Sequence, residues 1–327
     1  MSDFNRNKCL KAMHNIIKKI NDRITHSIYH YTNNEGFKGI ISSKEIWMTN
    51  ALFVNDKSEL RMSLEGGIFQ NIDFENHEFD LLKNESQRSK SKDIEDYYLA
   101  SFSEDDNSLY QFRVYGNYCI GFDPKKLQKY KFDLYKCVYE QEEIKDWFIK
   151  KDKMSEWKND CFNNERGSSY KRTAFYHTQF AGWAKSKNKH YKFEKEIRSL
   201  VVSNSSWDSG FGYDYCPELF CDQPTIYFRD DKFFNIPVPY VKFYIPKNPK
   251  SFKELEQMVE GKSRIETKQI IRKMEEDQEK ELLPINKVRI GPMPNQEEVV
   301  SATKIFLLEN GYDKVVVEPS DIPFRGN

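Results

Sequence analysis

The chain has 327 residues, and its 51 Lys and Arg residues balance its 51 Asp and Glu residues, so its formal net charge at pH 7 is zero. A neutral chain does not favour nucleic acid or an anionic membrane through its overall charge, although it can still carry a local basic patch. No segment has the about 18 consecutive apolar residues of a membrane helix, and the charged N-terminus lacks a signal-peptide core. We therefore expect a cytoplasmic protein with no membrane partner.

The first half of the chain alternates short strands with short helices. Helical spacing of apolar residues predicts a helix within residues 1–25, and helical insertions are predicted at 71–96 and 140–190. Asn33 or Asn34 is expected to cap the helix that follows the first strand. The predicted strands are 28–32, 45–51, 96–103, 118–123 and 135–140, and the predicted short helices are 33–44, 107–116 and 123–130.

The second half continues the same pattern. Strands are predicted at 193–203, 224–229 and 239–246, a charged helical segment at 250–283, and a closing β-α-β unit from residue 285. No Pro-, Gly- or Ser-rich linker divides the chain, which favours one compact domain over residues 1–327. The predicted fold is α+β, with a mixed, mostly antiparallel central sheet of short strands and helical insertions.

Several chemical classes are excluded by missing motifs. The chain has no P-loop, no dinucleotide-binding glycine motif, no nucleophile elbow and no paired-histidine zinc helix. Cys216 and Cys221 form a Cys-x4-Cys pair, but a structural zinc site needs four ligands. We therefore predict no metal site.

Four polar clusters lie near the ends of predicted strands and supply the candidate site residues. They are His30, Tyr31 and Thr32; Asn55 with its neighbours Asp56 and Glu59; Ser101 and Ser103 with Gln111 and Arg113; and Glu194 with Glu196. Residues two apart on a strand face the same side, so Glu194 and Glu196 are expected to reach the same space. Two such charges need a cation between them or a raised pKa, and Arg198 continues the same face.

Each cluster also has a structural interpretation. His30 is equally typical of a core histidine bonded to the backbone, and Asn55 with Asp56 is explained by helix capping alone. Gln111 and Arg113 fit a network that braces the sheet through a buried ion pair with Glu194 or Glu196.

The order of motifs HYT, WxTNA, NDxxE, SFS, QxRxYG, IGFD, FExExR and IPFR resembles a widespread bacterial domain family of unknown function. More loosely, the chain resembles the ADP-ribosyltransferases. In that resemblance His30 matches the first-strand element, Ser101 and Ser103 a later strand element, and Glu196 the final glutamate of an E-x-E motif that begins at Glu194.

The second resemblance implies an enzyme that uses NAD as its substrate, a glycosyltransferase or an NAD glycohydrolase. Glu196, Glu194 and His30 would be catalytic, because a fixed carboxylate stabilises the positive charge that develops on the ribose. The implied NAD-binding residues are His30, Tyr31, Thr32, Asn55, Ser101, Ser103, Gln111, Arg113 and Arg325. Tyr31 would pack on nicotinamide, and Arg113 or Arg325 would pair with the pyrophosphate.

The resemblance also implies a bacterial toxin or anti-phage defence protein, with a nucleic acid or protein acceptor and an antitoxin or defence-system partner. Two alternatives remain open. Lys and Arg interleaved with aromatic residues, as in YKRTAFYH and KNKHYKF, are typical of nucleic-acid binding. A non-catalytic nucleotide sensor would use the same residues. The NAD hypothesis predicts that His30 and Glu196 line one accessible pocket.

Overall fold

The structure is a computed structural model, and it describes residues 24–54, 97–130, 132–139, 185–202, 225–230, 236–248 and 252–324. The predicted N-terminal helix, the insertion at 71–96 and nearly all of the insertion at 140–190 lie outside these residues. So do Asn55, Arg325 and the pair Cys216 and Cys221. The predicted α+β class with a mixed, mostly antiparallel sheet of short strands is confirmed.

Ten strands form one sheet in the described part of the chain. Eight of them follow the order β10-β9-β4-β1-β3-β2-β8-β7, while β6 pairs with β3 and β5 pairs with β6. The strands are β1 (Ile28–Thr32), β2 (Ile46–Asn50), β3 (Tyr97–Ser103), β4 (Tyr118–Phe122), β5 (Tyr135–Lys136), β6 (Glu196–Val202), β7 (Tyr227–Asp230), β8 (Pro237–Phe243), β9 (Ile285–Ile290) and β10 (Val316–Pro319). Only β9 and β10 pair in parallel among these strands.

The helices are α1 (Asn34–Ser43), α2 (Leu109–Tyr115), α3 (Pro124–Lys129), α4 (Phe252–Val259), α5 (Arg264–Asp277) and α6 (Gln296–Glu309), and 3₁₀ helices span Ala51–Phe53 and Lys189–Glu194. Asn33 caps α1 as predicted, because its side chain accepts a hydrogen bond from the Gly36 amide at 2.8 Å. Asp123 caps α3, with Pro124 in its first turn. None of the described helices combines the length and the apolar character that crossing a bilayer requires.

Strand β3 forms a fork in the sheet. One of its edges pairs with β6 along its whole length, from Tyr97 to Ser103. The opposite edge is shared, because β1 pairs with it at Ser103 whereas β2 pairs with it at Tyr98 and Leu99. The strands β1 and β2 therefore diverge from each other at the middle of β3.

The main hydrophobic core lies on one face of the sheet. Its buried side chains come from alternate strand positions and from the inner sides of three helices, including Ile28, Phe102, Ile120, Val288, Ile41, Leu127 and Leu307. Helix α2 packs on the other face, where Phe112 contacts Tyr31 and Cys119 in a smaller cluster. The sheet thus has a core face and a second face that carries α2.

Two predicted strands differ from the observed elements. The segment 193–203 was expected to be one strand, but residues 189–194 form a 3₁₀ helix that is capped by Asn188. Lys195 then adopts a left-handed conformation with φ of 45°, and β6 begins at Glu196. In the segment predicted at 135–140, of which the structure describes residues 135–139, Tyr135 and Lys136 pair as a strand and Val138 forms an isolated bridge with Ser186.

Candidate functional site

The pairing registers place His30 and Glu196 on opposite faces of the sheet. In antiparallel strands, directly opposite residues point to the same face, and Glu196 lies opposite Ser103, which lies opposite Tyr29. His30 follows Tyr29 and points the other way, so that its ring lies 5.8 Å from the ring of Phe102 in the core. The expectation that His30 and Glu196 line one pocket is therefore wrong.

The His30 side chain, from β1, lies beside the middle of β3, where β1 and β2 diverge. Its Nδ1 lies 2.9 Å from the carbonyl oxygen of Ser101, in the part of β3 that neither β1 nor β2 reaches. A carbonyl only accepts hydrogen bonds, so Nδ1 carries the proton and donates it. Burial lowers the pKa of His30, and the Ser101 hydrogen bond opposes this only in part. The arrangement matches the structural interpretation, a histidine bonded to the backbone.

Four charged side chains meet on the face that carries α2, and we call Lys187, Glu194, Glu196 and Arg198 the carboxylate cluster. Lys187 Nζ lies 2.5 Å from Glu194 Oε2 and also contacts Glu196 Oε2. Arg198 donates to both oxygens of Glu196, from Nε at 2.9 Å and from Nη2 at 3.0 Å. The four side chains are only 4% to 8% exposed. Two acids and two bases thus form a charge-balanced, buried group.

Local backbone geometry brings the two carboxylates together. Glu194 ends the 3₁₀ helix, Lys195 turns the chain through a left-handed conformation, and Glu196 begins β6. The two glutamates therefore converge, although Glu194 does not lie on the strand as predicted. Lys187 arrives from the short bridge between Val138 and Ser186.

The cations control the ionisation of Glu196. Burial alone raises the pKa of this carboxyl group, but the charges and hydrogen bonds of Arg198 and Lys187 outweigh it and lower the pKa to about 2. The cluster also acts on Tyr115. Burial raises the pKa of this tyrosine, and the negative charge of Glu194 raises it further. Glu196 is therefore a permanent anion near neutral pH.

Ser103 and Gln111 brace the backbone of Glu194. The Ser103 hydroxyl donates to the Glu194 carbonyl oxygen at 2.8 Å, and the Gln111 side-chain amide donates to the same oxygen at 3.1 Å and to Ser103 Oγ at 2.9 Å. Ser103 is 1% exposed and Gln111 is 5% exposed. Their observed role is to position Glu194, which is the bracing interpretation without the predicted ion pair.

The other predicted site residues have different surroundings. Ser101 is exposed and lies opposite Arg198, on the face of the carboxylate cluster. Arg113 is exposed on α2, so it does not take part in a buried ion pair. Thr32 is half-buried and shares the core face with His30. Asn55 and Arg325 lie outside the described residues.

Tyr31 is not placed to pack on nicotinamide, which corrects the predicted role. It is 6% exposed and packs edge-on against Phe112, with ring centroids 5.0 Å apart. Its hydroxyl donates to the Asp105 carbonyl at 2.8 Å and accepts from the Ser108 amide at 3.0 Å. Tyr31 therefore anchors the turn that leads into α2.

Lys187 is the cluster member that the sequence analysis missed. The need for a cation between Glu194 and Glu196 was predicted, but Arg198 was assigned to it. The letters KNKHYKFEKE do contain Lys187 seven positions before Glu194. Lys187, rather than a neighbouring lysine, reaches the two carboxylates because Ser186 forms a bridge with Val138, and no local sequence pattern predicts that bridge.

Within the described residues, no group of three or more His, Cys, Asp or Glu side chains is arranged to hold a metal ion. No protein family model, curated protein or solved structure matched the chain. The candidate site therefore rests on its own geometry: two buried carboxylates that hold an ammonium group on the α2 face of the sheet.

Proposed function

We propose that this chain is an enzyme that cleaves the bond between nicotinamide and ribose in NAD, with the carboxylate cluster as its reactive centre. The released ADP-ribose unit passes to an acceptor nucleophile or to water. The looser resemblance to the ADP-ribosyltransferases, in Ser101, Ser103 and the Glu194-x-Glu196 motif, supports a toxin or anti-phage defence role.

The observation that carries the proposal is the ammonium of Lys187 between two buried carboxylates. A position that stabilises an ammonium through two fixed anions also favours the positive charge that develops on the ribose as its bond to nicotinamide lengthens. Glu196 is suited to this role, because Arg198, which contributes most to lowering its pKa, donates to both of its oxygens and keeps it charged without a proton transfer.

The proposed reaction balances without a further cofactor. The bond between ribose C1′ and the pyridinium nitrogen breaks, and its electron pair stays on nitrogen, so that neutral nicotinamide leaves. The positive C1′ is captured by an oxygen or nitrogen nucleophile, and Glu194 accepts the proton that the nucleophile loses. Glu196 stabilises the charge on the ribose throughout.

Substrate binding must displace Lys187 from at least one carboxylate, because its ammonium holds the position that the ribose would take. The exposed Ser101 hydroxyl on the same face is available to hold a ribose hydroxyl, and the exposed Arg113 on α2 is available for the pyrophosphate. Ser103 and Gln111 act as positioning residues. Asn55 and Arg325 stay predicted NAD contacts, and His30, Tyr31 and Thr32 are not part of this site.

The decisive experiment measures nicotinamide release by chromatography after purified protein is incubated with NAD, with nucleic acid or protein acceptors present. Glu196→Gln keeps the shape of the side chain and removes its charge, so we expect release to fall about 100-fold or more. Because this change also breaks a buried ion pair, its effect on folding must be measured separately.

Glu45→Gln is the matched control. Glu45 is 3% exposed and pairs with Lys280 at 2.6 Å and Lys242 at 3.5 Å, but it lies outside the site, before β2. Both variants are expected to lose thermal stability, and only Glu196→Gln is expected to lose turnover. Wild-type protein that does not consume NAD would contradict the proposal, and tight NAD binding without turnover would favour a nucleotide sensor.

A further inference from the structure

The 3₁₀ helix that ends at Glu194 presents three different rows of side chains. Since this helix has three residues per turn, side chains three apart line up along its axis. Tyr191 and Glu194 form the inner row, where Tyr191 is half-buried and Glu194 is buried. The two remaining rows are both exposed to solvent.

One exposed row is basic. Lys189 and Lys192 lie one turn apart, and the exposed Lys195 follows the helix in a left-handed conformation. Lys195 pairs with Asp105 at 3.6 Å, and both lysines of the row are exposed. Their spacing along the axis is about 6 Å per turn, which is comparable to the separation of neighbouring phosphates in a nucleic-acid strand.

The other exposed row is aromatic. Phe193 is 46% exposed and follows His190 by one turn. Tyr110, on the outer side of α2, is 41% exposed and packs edge-on against Phe193, with ring centroids 4.6 Å apart. Two large rings from different elements thus remain accessible beside a line of positive charge.

We infer that this surface, which consists of Lys189, Lys192, His190, Phe193 and Tyr110, binds single-stranded nucleic acid. Exposed rings stack on unpaired bases of any sequence, and a parallel row of lysines follows the phosphates. The negative charge of Glu194 does not oppose binding, because its carboxylate is buried against Lys187. We call this surface the stacking platform.

The platform lies directly outside the carboxylate cluster, because Glu194 and Phe193 are neighbours on the same short helix. A bound strand would place its bases or riboses beside the reactive centre. Binding of the strand stands independently, whereas the assignment of that strand as the acceptor of ADP-ribose rests on the proposed function.

Fluorescence anisotropy with a labelled oligothymidylate of about 15 nucleotides tests the platform without NAD. The double variant Tyr110→Ala/Phe193→Ala is expected to weaken binding about tenfold or more, because two stacking contacts are lost. The control Phe228→Ala removes a ring that is 64% exposed on β7, and it should leave binding unchanged.

The double variant Lys189→Gln/Lys192→Gln is expected to reduce the magnitude of the slope of log K against log salt by about 1 to 2. Lys38→Gln/Lys304→Gln removes two exposed lysines from α1 and α6 and should not change the slope. Circular dichroism checks that all variants keep the wild-type fold.

Three results would overturn the inference: no binding by wild-type protein, equal binding of duplex DNA, or equal binding of polyglutamate. The last two would mean that charge alone attracts the ligand. Glu196→Gln keeps every residue of the platform, so it should still bind the strand even though it does not release nicotinamide. Wild-type protein that cleaves NAD but does not bind the strand would therefore overturn this inference and leave the proposed function in place.

Discussion

Lys187 supplies the positive charge that allows two carboxylates to lie together in a buried site. Its Nζ contacts Glu194 and Glu196, whereas Arg198 forms hydrogen bonds with Glu196. Without the ammonium, two buried carboxylates would share the one guanidinium of the cluster. Such a pair relieves its repulsion by binding a proton, so that the pKa of one carboxyl group rises.

We expect Lys187→Met to lower the free energy of unfolding by about 3–5 kcal/mol near neutral pH, because it leaves an uncompensated buried charge. The difference from wild type should shrink as the pH falls from about 7 to about 4, because protonation of the carboxyl group with the raised pKa removes that charge. Urea unfolding at several pH values measures both effects.

The wild-type protein sets the reference for this experiment. The pKa of Glu196 is lowered to about 2 from an ordinary value of 4.5, so its contribution to stability is complete above 4.5 and is lost as the pH falls from there towards 2. Lys136→Met serves as control, because Lys136 is 56% exposed and pairs with Glu104 at the surface. It should cost less than about 1 kcal/mol. A pH-independent loss in Lys187→Met would contradict the electrostatic account.

Single-residue roles were predictable where they depend on neighbours in the chain. The pairing of Glu196 with Arg198 follows from two positions on one strand. The convergence of Glu194 and Glu196 was also predicted, although it arises from the end of a 3₁₀ helix and a left-handed residue rather than from a strand. The roles of Tyr31 and Lys187 were not predictable, because they depend on contacts with Ser108 and with Val138 that are distant in sequence. Period-two spacing also fixes which residues share a face only after the strand boundaries are known.

Gly116 shows how two elements are fitted against each other. It follows α2 with a φ of 119°, a conformation that side chains rarely adopt. A β-carbon at this position would lie 2.6 Å from the Asn33 α-carbon and 2.7 Å from the Thr32 carbonyl oxygen. The end of α2 therefore lies directly against the junction between β1 and α1.

Gly116→Ala is expected to lower the free energy of unfolding by about 2 kcal/mol or more, because it combines a strained φ with a clash against backbone atoms. Gly39→Ala is the matched control, since a β-carbon there meets nothing within 4 Å. It lies inside α1 and should raise stability by about 0.5–1 kcal/mol. Chemical denaturation compares the two, and equal effects of the same sign would contradict this interpretation.

Elements with strong end signals were predicted well. Helices α1 and α3 begin where Asn33 and Asp123 cap them, and the closing β-α-β unit is present as β9, α6 and β10. The strand predicted at 193–203 was wrong at its start. Glu194 and Glu196 are two apart as on a strand, but Asn188 initiates a 3₁₀ helix, and tertiary contacts of Glu194 hold it.

At the scale of the whole molecule, the sheet joins distant parts of the chain. Strand β4 lies between β1 and β9, so the closing unit joins the sheet beside strands from the first half of the chain. Val288 and Ile290 of β9 are fully buried, and Leu307 of α6 is 1% exposed in the same core. Strand order of this kind was not predictable, because local patterns carry no information about which strands pair.

A chain that ends at Leu283 should fail to unfold cooperatively, because it lacks β9, α6 and β10 and exposes the edge of β4 together with the core residues beneath it. A chain that ends at Phe324 keeps every described element and should unfold cooperatively. Thermal unfolding followed by circular dichroism distinguishes them. A sharp transition in the shorter chain would mean that the closing unit is a separate module.

The 3₁₀ helix at 189–194 has six residues, and it carries Phe193 on its outer side and Glu194 on its inner side. In so short a helix, a rotation that moves Phe193 also moves Glu194. A ligand that binds at Phe193 is therefore expected to change the strength of the contact between Glu194 and Lys187. Weakening of that contact is expected to change the affinity for the ligand by the same factor. Binding at the surface and release of Lys187 inside the protein would then be two parts of one coupled equilibrium.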